Sequence, residues 1–208
     1  MKVAIIGTGN MGAGLATSLA NAGHQVSIGA RDLVKSAALA DSIGKGAVGG
    51  GIAAAVKLAD LVILALPFGA VAETVKQAGD LAGKVIVDIS NPVTPDFKEL
   101  LIGHTTSAAE EIQKLTTQAS VVKALNTIFA GLLSPDARQG KTLQVFIASN
   151  EESSKAVVSE LVNSIGFEAV DAGPLSNSRY LEPIGQMNIQ FGFFLGQGPV
   201  VAPAWVKV

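Results

Sequence analysis

The segment GTGNMGAG, residues 7–14, decides the fold, because it directly follows a short apolar run, Lys2–Ile6. Gly7, Gly9 and Gly12 have the spacing G-x-G-x-x-G. In a strand–turn–helix unit, the first glycine allows a tight turn and the second lets a pyrophosphate approach the backbone. The third lets the helix pack closely on the strand. The segment therefore predicts a dinucleotide-binding turn.

The residues that follow the turn favour a helix whose amino end faces the phosphates. Met11, Leu15 and Leu19 are apolar and four residues apart, which is typical of a helix packed on a sheet. Free backbone N–H groups around Asn10 and Met11, with the helix dipole behind them, are suited to bind a pyrophosphate. We expect the Thr8 hydroxyl to donate a further hydrogen bond to the cofactor.

Short β-branched runs alternate with helical segments along most of the chain. Strands are predicted at residues 2–6, 25–29, 61–66, 85–89, 121–125, 143–148 and 167–171, with a brief one near residues 47–48. This alternation predicts a Rossmann-type, doubly wound α/β fold with a mainly parallel sheet.

The segment VSIGARDLVK, residues 26–35, indicates which dinucleotide is bound. NAD-binding proteins carry Asp or Glu at the end of the second strand to accept from the ribose hydroxyls. Here that position falls on Ala30 or the glycine before it, which leaves room for a 2′-phosphate. Arg31 can bind that phosphate, and Lys35 adds a second charge one helical turn later. Asp32 is interpreted as the helix N-cap. NADP(H) is predicted; the alternative is that both cations are simply solvated.

Composition and charge argue against several classes of partner. A net charge of −2 does not favour nucleic acid or an anionic membrane. The absence of cysteine excludes disulfides and thiolate sites. His24 and His104 are the only histidines and lie far apart, so no metal site is predicted. The longest apolar stretch, residues 58–71, contains Pro67 and is too short to span a membrane. We expect a cytoplasmic protein.

Two later segments resemble a known family. DAGPLSNSRYLE, residues 171–182, and VVKALNTI, residues 121–128, are similar to the NADPH:coenzyme F420 (8-hydroxy-5-deazaflavin) oxidoreductases and to the cytosolic flavin-using domains of six-transmembrane ferric reductases. The resemblance implies that a nicotinamide and a deazaflavin or flavin stack over the carboxyl ends of the strands. Hydride transfer between two such rings needs proximity and a dry pocket more than a protein acid or base, so no catalytic residue is predicted.

The expected pocket comes from strand ends and one later loop. The strand ends contribute Leu66, Pro67, Asn91, Pro92, Asn126 and Thr127. The resemblance places Ser176, Asn177, Ser178 and Arg179 near the second cofactor. Alternatively, residues 91–92 form only a turn, and residues 176–179 form only a helix cap with a surface arginine. At residue 126 the chain resembles the flavin-using relatives, because the deazaflavin enzymes carry histidine there.

These observations predict an NADP(H)-dependent oxidoreductase that acts on coenzyme F420 or on FMN or FAD. Two alternatives stay open: an NADPH-dependent reductase of a small organic substrate in the same pocket, and a non-catalytic NADP(H)-binding redox sensor. Each would use the same nucleotide-binding turn.

The chain is predicted to be one compact unit, residues 1–208. Residues 1–125 form the NADP-binding Rossmann core, and residues 126–208 form a C-terminal extension that completes the acceptor pocket. This extension contains an aromatic group that we expect to be buried, either over the acceptor ring or, preferably, in a homodimer interface. Its members are Phe191, Phe193, Phe194 and Trp205.

Overall fold

A six-stranded parallel sheet forms the centre of the computed structural model, which describes residues 1–208. Its strands are β1 (Lys2–Ile6), β2 (Gln25–Gly29), β3 (Val48–Gly50), β4 (Leu61–Leu64), β5 (Val85–Asp88) and β6 (Ser120–Lys123). They lie in the order β3-β2-β1-β4-β5-β6, and every neighbouring pair is parallel. The order reverses between β1 and β4, where folds of this type bind their ligands. The predicted Rossmann-type fold is confirmed.

Helices cover both faces of this sheet. They are α1 (Asn10–Asn21), α2 (Leu33–Ile43), α3 (Ile52–Lys57), α4 (Phe68–Gln77), α5 (Ala108–Leu115), α6 (Glu152–Ser164) and α7 (Ser178–Ile189). Successive side chains of a strand point to opposite faces, so Val3 and Ile5 pack with α1, α2 and α6. Ala4 and Ile6 pack with α3, α4 and α5. None of the helices is both long and apolar enough to cross a membrane.

Strands β7 (Gln144–Ile147) and β8 (Glu168–Asp171) form a separate parallel pair. This pair joins the main sheet through one antiparallel bridge, in which Lys123 and Ala148 exchange backbone N–H···O bonds of 2.9 and 3.0 Å. Apolar periodicity predicted both strands but carries no information about the direction of pairing. The strand direction therefore reverses between β6 and the β7–β8 pair, which the sequence pattern did not predict.

Helix α7 was not predicted from the sequence. It contains Pro183 and continues into a π-helical turn, Gln190–Phe194. Proline within a helix removes a backbone donor and crowds the preceding turn, so it argues against a helix at the sequence level. Tertiary contacts outweigh this penalty here, because Leu181, Glu182 and Gly185 are buried against the rest of the chain.

Three aromatic side chains of the C-terminal extension are exposed in the single chain. Phe193 is 61% exposed, Phe194 is 47% exposed and Trp205 is 64% exposed. Phe193 packs edge-to-face on Phe129, with ring centroids 5.4 Å apart. Trp205 packs in the same way on Phe146, at 5.5 Å. Burial of this group over the acceptor ring or in a homodimer interface stays a prediction.

A buried cluster of three charged side chains connects the sheet with α7 and α5. The Lys123 ammonium lies 2.7 Å from a carboxylate oxygen of Asp88 and 2.8 Å from one of Glu182. It also donates to the carbonyl of Ser90 at 2.6 Å. Glu182 in turn accepts from the backbone N–H of Ala108, the first residue of α5, at 2.9 Å. The three side chains are fully buried, and we call them the ion cluster.

The members of the ion cluster compensate one another electrostatically. Burial alone would lower the pKa of Lys123, but attraction to Asp88 and Glu182 outweighs it and raises that pKa. Burial raises the pKa of Glu182, and attraction to Lys123 and the N–H of Ala108 opposes this rise. Removing one partner of a buried ion pair leaves an uncompensated charge in a low-dielectric interior. The ion cluster is therefore sensitive to any single substitution.

We expect Lys123→Met to lower the free energy of unfolding by about 3–5 kcal/mol, because it leaves two carboxylates buried without a cation. The matched control is Lys114→Met, which removes an exposed lysine paired with Glu111 on α5 and is expected to cost less than about 1 kcal/mol. Urea denaturation of both variants measures the difference. Equal, small losses would show that the ion cluster does not stabilise the fold.

Candidate active site

The carboxyl ends of the central strands open into a cleft with two ends. One end has a volume of about 780 Å³ and the other about 980 Å³. Leu66 borders both, and the glycine turn lies between them, with Gly7 and Thr8 on one side and Gly9 and Asn10 on the other. We call the first the cationic end and the second the apolar end, after the side chains described below.

The glycine turn has the geometry that a bound pyrophosphate requires. Gly7 has a φ of +123°, and a Cβ there would clash with the carbonyl oxygen of Ala65. A Cβ at Gly12 would clash with the carbonyl oxygen of Gly7, whereas at Gly9 it would meet nothing within 4 Å. Helix α1 begins at Asn10 without a side-chain cap, so its first N–H groups are available to a ligand. These features fit a dinucleotide.

The cationic end fits the 2′-phosphate of NADP(H). Ala30, Arg31 and Lys35 line it together with Thr8, and the carboxylates of Asp32 and Glu73 line it too. The predicted cap is confirmed, because Asp32 accepts from the backbone N–H groups of Val34 and Lys35, each at 3.1 Å. Asp32 also lies 3.7 Å from the Lys35 ammonium. Its carboxylate is thus held by the start of α2.

The apolar end contains two side-chain amides that hydrogen bonds hold in place. Asn91 donates to the backbone carbonyl of Asn126 at 2.8 Å, and the Asn126 amide donates to the Asn91 oxygen at 2.9 Å. Asn126 also donates to the carbonyl of Leu181 on α7 at 2.9 Å. Leu125, just before it, has a φ of +60°. Such a backbone is strained for a bulky residue, and strain of this kind occurs often at functional sites.

Helix α7 forms one wall of the apolar end. Gly185 lies so close to Asn91 that a Cβ would overlap the amide atoms of that side chain. Asn188 donates to the backbone carbonyls of Thr127 at 3.1 Å and Val201 at 3.3 Å. The helix therefore fixes both the Asn91–Asn126 pair and the C-terminal tail.

Comparison with known proteins, like the cleft, indicates an NADP-binding protein. A family model described as "NADP oxidoreductase coenzyme F420-dependent" matches residues 2–92. The F420-dependent NADP reductase of Methanothermobacter marburgensis is 34% identical over 205 residues, covering 88% of this chain and 89% of that protein. The chain belongs to the coenzyme F420-dependent NADP oxidoreductase family.

Two further relatives agree with this membership. Metalloreductase STEAP3 of Rattus norvegicus is 34% identical over 183 residues; the match covers 88% of this chain but 36% of that protein. A proposed F420-dependent NADP reductase from Arthrobacter sp. FB24 superposes with a TM-score of 0.85 at 32% identity and covers 94% of this chain and 95% of that one. The suspected resemblance is confirmed, and this family member is an NADP-dependent oxidoreductase.

The cleft of this NADP oxidoreductase brings together most of the residues proposed from the sequence. Those at the cationic end are Gly7, Thr8, Ala30, Arg31, Lys35 and Leu66. Those at the apolar end are Gly9, Asn10, Met11, Leu66, Pro67, Asn91, Asn126 and Thr127. Gly12 and Pro92 do not line either end: Gly12 packs against Gly7, and Pro92 accepts from the N–H of Leu101 at 2.7 Å.

The later loop, residues 176–179, lies at the start of α7. Ser176, Asn177, Ser178 and Arg179 do not line the apolar end. Arg179 donates to both carboxylate oxygens of Glu110 on α5, at 2.6 and 2.9 Å. Burial opposes ionisation of Glu110, but bonds from Arg179 and Ser107 outweigh it and lower its pKa. The loop therefore starts α7 and fastens it to α5, as the helix-cap alternative implies, and its place beside the second cofactor stays a prediction.

Several lining residues were missed at the sequence level. They are Phe97, Phe129, Gly185, Asn188, Ile189 and Pro199. Among the side-chain amides near the end of α7, Asn188 lines the cleft, whereas Gln186 and Gln190 bond to the carbonyl of Phe97, so no local sequence pattern singled out the lining residues. His24 is far from this cleft and contacts Ser164 at 2.8 Å. No group of three or more His, Cys, Asp or Glu side chains is arranged to hold a metal ion.

The close approach of α7 to Asn91 gives a test of the apolar end. Gly185→Ala is expected to cost about 1–3 kcal/mol of unfolding free energy, because the new methyl group must displace the Asn91 amide. Gly131→Ala is the control, since Gly131 lines the same end but has open space around it. Thermal unfolding of both proteins checks this. The packing described here is incorrect if the two alanines have equal effects.

Proposed function

We propose that this NADP oxidoreductase transfers a hydride directly between NADPH and a second ring cofactor, a deazaflavin (coenzyme F420) or a flavin, held in the apolar end. The observation that carries the proposal is that the cationic and apolar ends meet at Leu66 and the glycine turn. Arg31 and Lys35 line the first end, and the second has a volume of about 980 Å³. Ligand pockets typically measure about 300–1,000 Å³, so this end has room for a nicotinamide and a second ring.

The cationic end would hold the adenosine half of NADP(H). Arg31 presents a planar fork of donors that suits a phosphate, and Lys35 adds a flexible charge. Ala30 leaves space where an acidic side chain would repel the 2′-phosphate. The amino end of α1, from Asn10, would bind the pyrophosphate.

The apolar end would orient the reacting rings and exclude water. Asn91 and Asn126 are hydrogen-bonded to each other, and Asn126 is also hydrogen-bonded to α7, so their polar atoms are fixed before any ligand binds. Such preorganisation lowers the cost of bringing two rings into the reactive orientation. Ile89, Ile128 and Phe129 add apolar walls.

NADPH bound in the cleft would supply a hydride to the acceptor ring, and the accompanying proton would come from solvent. No lining side chain of the apolar end is ionisable at neutral pH. The role of the protein is therefore to position the rings. The relative named as F420-dependent NADP reductase supports a deazaflavin acceptor.

Arg31→Ala tests the nucleotide half. We expect it to raise the Kd of NADPH by about 10- to 100-fold, because one charge-assisted contact contributes roughly 1.5–3 kcal/mol. The Kd of NADH should change by less than about threefold. Lys57→Ala, which removes a cation outside the cleft, controls for net charge. Calorimetric titration measures the Kd of NADPH and of NADH for both variants. An equal loss of affinity for the two nucleotides in Arg31→Ala would reject the 2′-phosphate contact.

An acceptor assay tests the proposed reaction. Purified protein is supplied with NADPH and, separately, with coenzyme F420, FMN or FAD, with NADH as the control donor. We expect NADPH oxidation that depends on one of these acceptors. NADPH binding without turnover on any of them would reject the proposal and favour a redox sensor. Turnover confined to carbonyl or imine compounds would instead favour a small-substrate reductase.

A further inference from the structure

A second cavity shares the turn Ala130–Leu132 with the apolar end of the cleft. It has a volume of about 770 Å³, which is within the range of small-molecule sites. One face of α1, several residues between 130 and 141 and the end of α6 line it. Neither NADP(H) binding nor the proposed hydride transfer uses this second cavity.

The charge of the second cavity is positive and uncompensated. Arg138 and Lys141 line it, and none of its lining residues is acidic. Asp136, in the same turn as Arg138, does not line it. The cationic end of the cleft differs, because two carboxylates line it beside its two cations. An anion that enters the second cavity therefore meets two cations and no carboxylate.

Arg138 is the buried part of this site. It is 4% exposed, and its guanidinium lies over the ring of Phe167, 4.1 Å from the ring centroid. The terminal nitrogens donate to the backbone carbonyls of Ile165 and Gly166, whereas Nε has no hydrogen-bond partner. A guanidinium has five N–H donors, so several remain after these two bonds. Burial lowers the pKa of Arg138, and no carboxylate opposes this effect.

A capping role for Arg138 explains only part of this arrangement. Its bonds to Ile165 and Gly166 satisfy carbonyls at the end of α6, as cations near helix ends often do. Capping does not explain why a buried Nε is left without an acceptor, which costs free energy. It also does not explain why Lys141 lines the same cavity.

Uncharged polar side chains complete the lining of the second cavity. Two of them, Thr17 and Ser18, donate to the backbone carbonyls of Ala13 and Leu133, so their oxygens can still accept a hydrogen bond. Such groups suit the hydroxyls of a polyol or sugar. The full set is Thr17, Ser18, Asn21, Ser134 and Ser164.

We propose that the second cavity binds a phosphate group on Arg138 and Lys141, either as free phosphate or as part of a small organic phosphate. A phosphate monoester carries a charge of about −1.5 to −2 at neutral pH, which matches two cations better than one carboxylate does. Arginine offers a planar fork of donors to phosphate oxygens, and lysine adds a point charge. The site is independent of which acceptor the cleft uses.

A nuclear magnetic resonance titration of the isotope-labelled protein tests the proposal. The protein is first saturated with NADP⁺, so that the cationic end is occupied. The probes are sodium phosphate, glycerol 3-phosphate and succinate, with sodium chloride at equal ionic strength as the blank. Both phosphates should shift the backbone N–H signals of Ser134, Lys141 and Gly166 saturably, with a Kd of about 1 mM or below. Tighter binding of glycerol 3-phosphate identifies an organic phosphate as the ligand, and equal affinities identify free phosphate.

Two variants and a matched control locate the contacts. Lys141→Ala should raise the Kd of phosphate by about tenfold, because it removes one charge-assisted contact. Arg138→Lys keeps the charge but loses the fork and should have a similar effect, with thermal unfolding as the check that it folds. Lys57→Ala removes an exposed cation of α3 outside the second cavity and should change the Kd by less than about twofold.

The absence of saturable shifts at Ser134, Lys141 and Gly166 would overturn the inference. Tighter binding of succinate than of either phosphate would overturn it too, because the site would then select carboxylates. Equal effects of Lys141→Ala and Lys57→Ala would show that the protein attracts phosphate only through its overall charge. This last comparison decides the question even if Arg138→Lys does not fold.

Discussion

The ion cluster is the constraint on which the rest of the structure depends. Lys123 follows two buried valines in β6, and its ammonium is fully buried between Asp88 and Glu182. A charge in that position is tolerable only while both carboxylates stay in place. Because Glu182 belongs to α7, the requirement to neutralise a charge on β6 fixes the helix that closes the cleft. The amino end of α5 adds its N–H groups to the same carboxylate.

The geometry of the apolar end follows from this constraint. Lys123 donates to the carbonyl of Ser90, and the next residue, Asn91, bonds to Asn126. Three residues after Glu182, Gly185 lets α7 approach Asn91 without overlap. The strained backbone at Leu125 turns the chain out of β6 and into the pocket. The need to neutralise Lys123 inside the sheet thus fixes the position of the Asn91 and Asn126 amides in the cleft. The glycine turn independently forms the nucleotide-binding side.

Sequence reasoning predicted the parts that depend on local physics. The G-x-G-x-x-G spacing, the cap at Asp32 and the cation at Arg31 each act within a few residues, so the turn and the nucleotide side of the cleft could be derived. The buried ion pair of Lys123 with Glu182 could not be derived, because the two residues are far apart in the chain and neither segment indicates the other as its partner. A lysine within the apolar run VVKAL was nevertheless a signal, since a buried cation requires a counter-ion. Pro183 concealed α7, whereas residues 176–179 were expected at the cofactor because of the family resemblance.

The central claim is that the hydride passes directly between two rings held in one cleft. An anaerobic single-turnover experiment tests it most directly, with the acceptor that supports turnover and with NADPH carrying either hydrogen or deuterium at the transferred position. The account predicts that the absorbance of NADPH and that of the oxidised acceptor disappear with one shared rate constant, and that deuterium slows both to the same extent. Loss of NADPH that precedes bleaching of the acceptor would contradict it, because the electrons would then pass through another carrier.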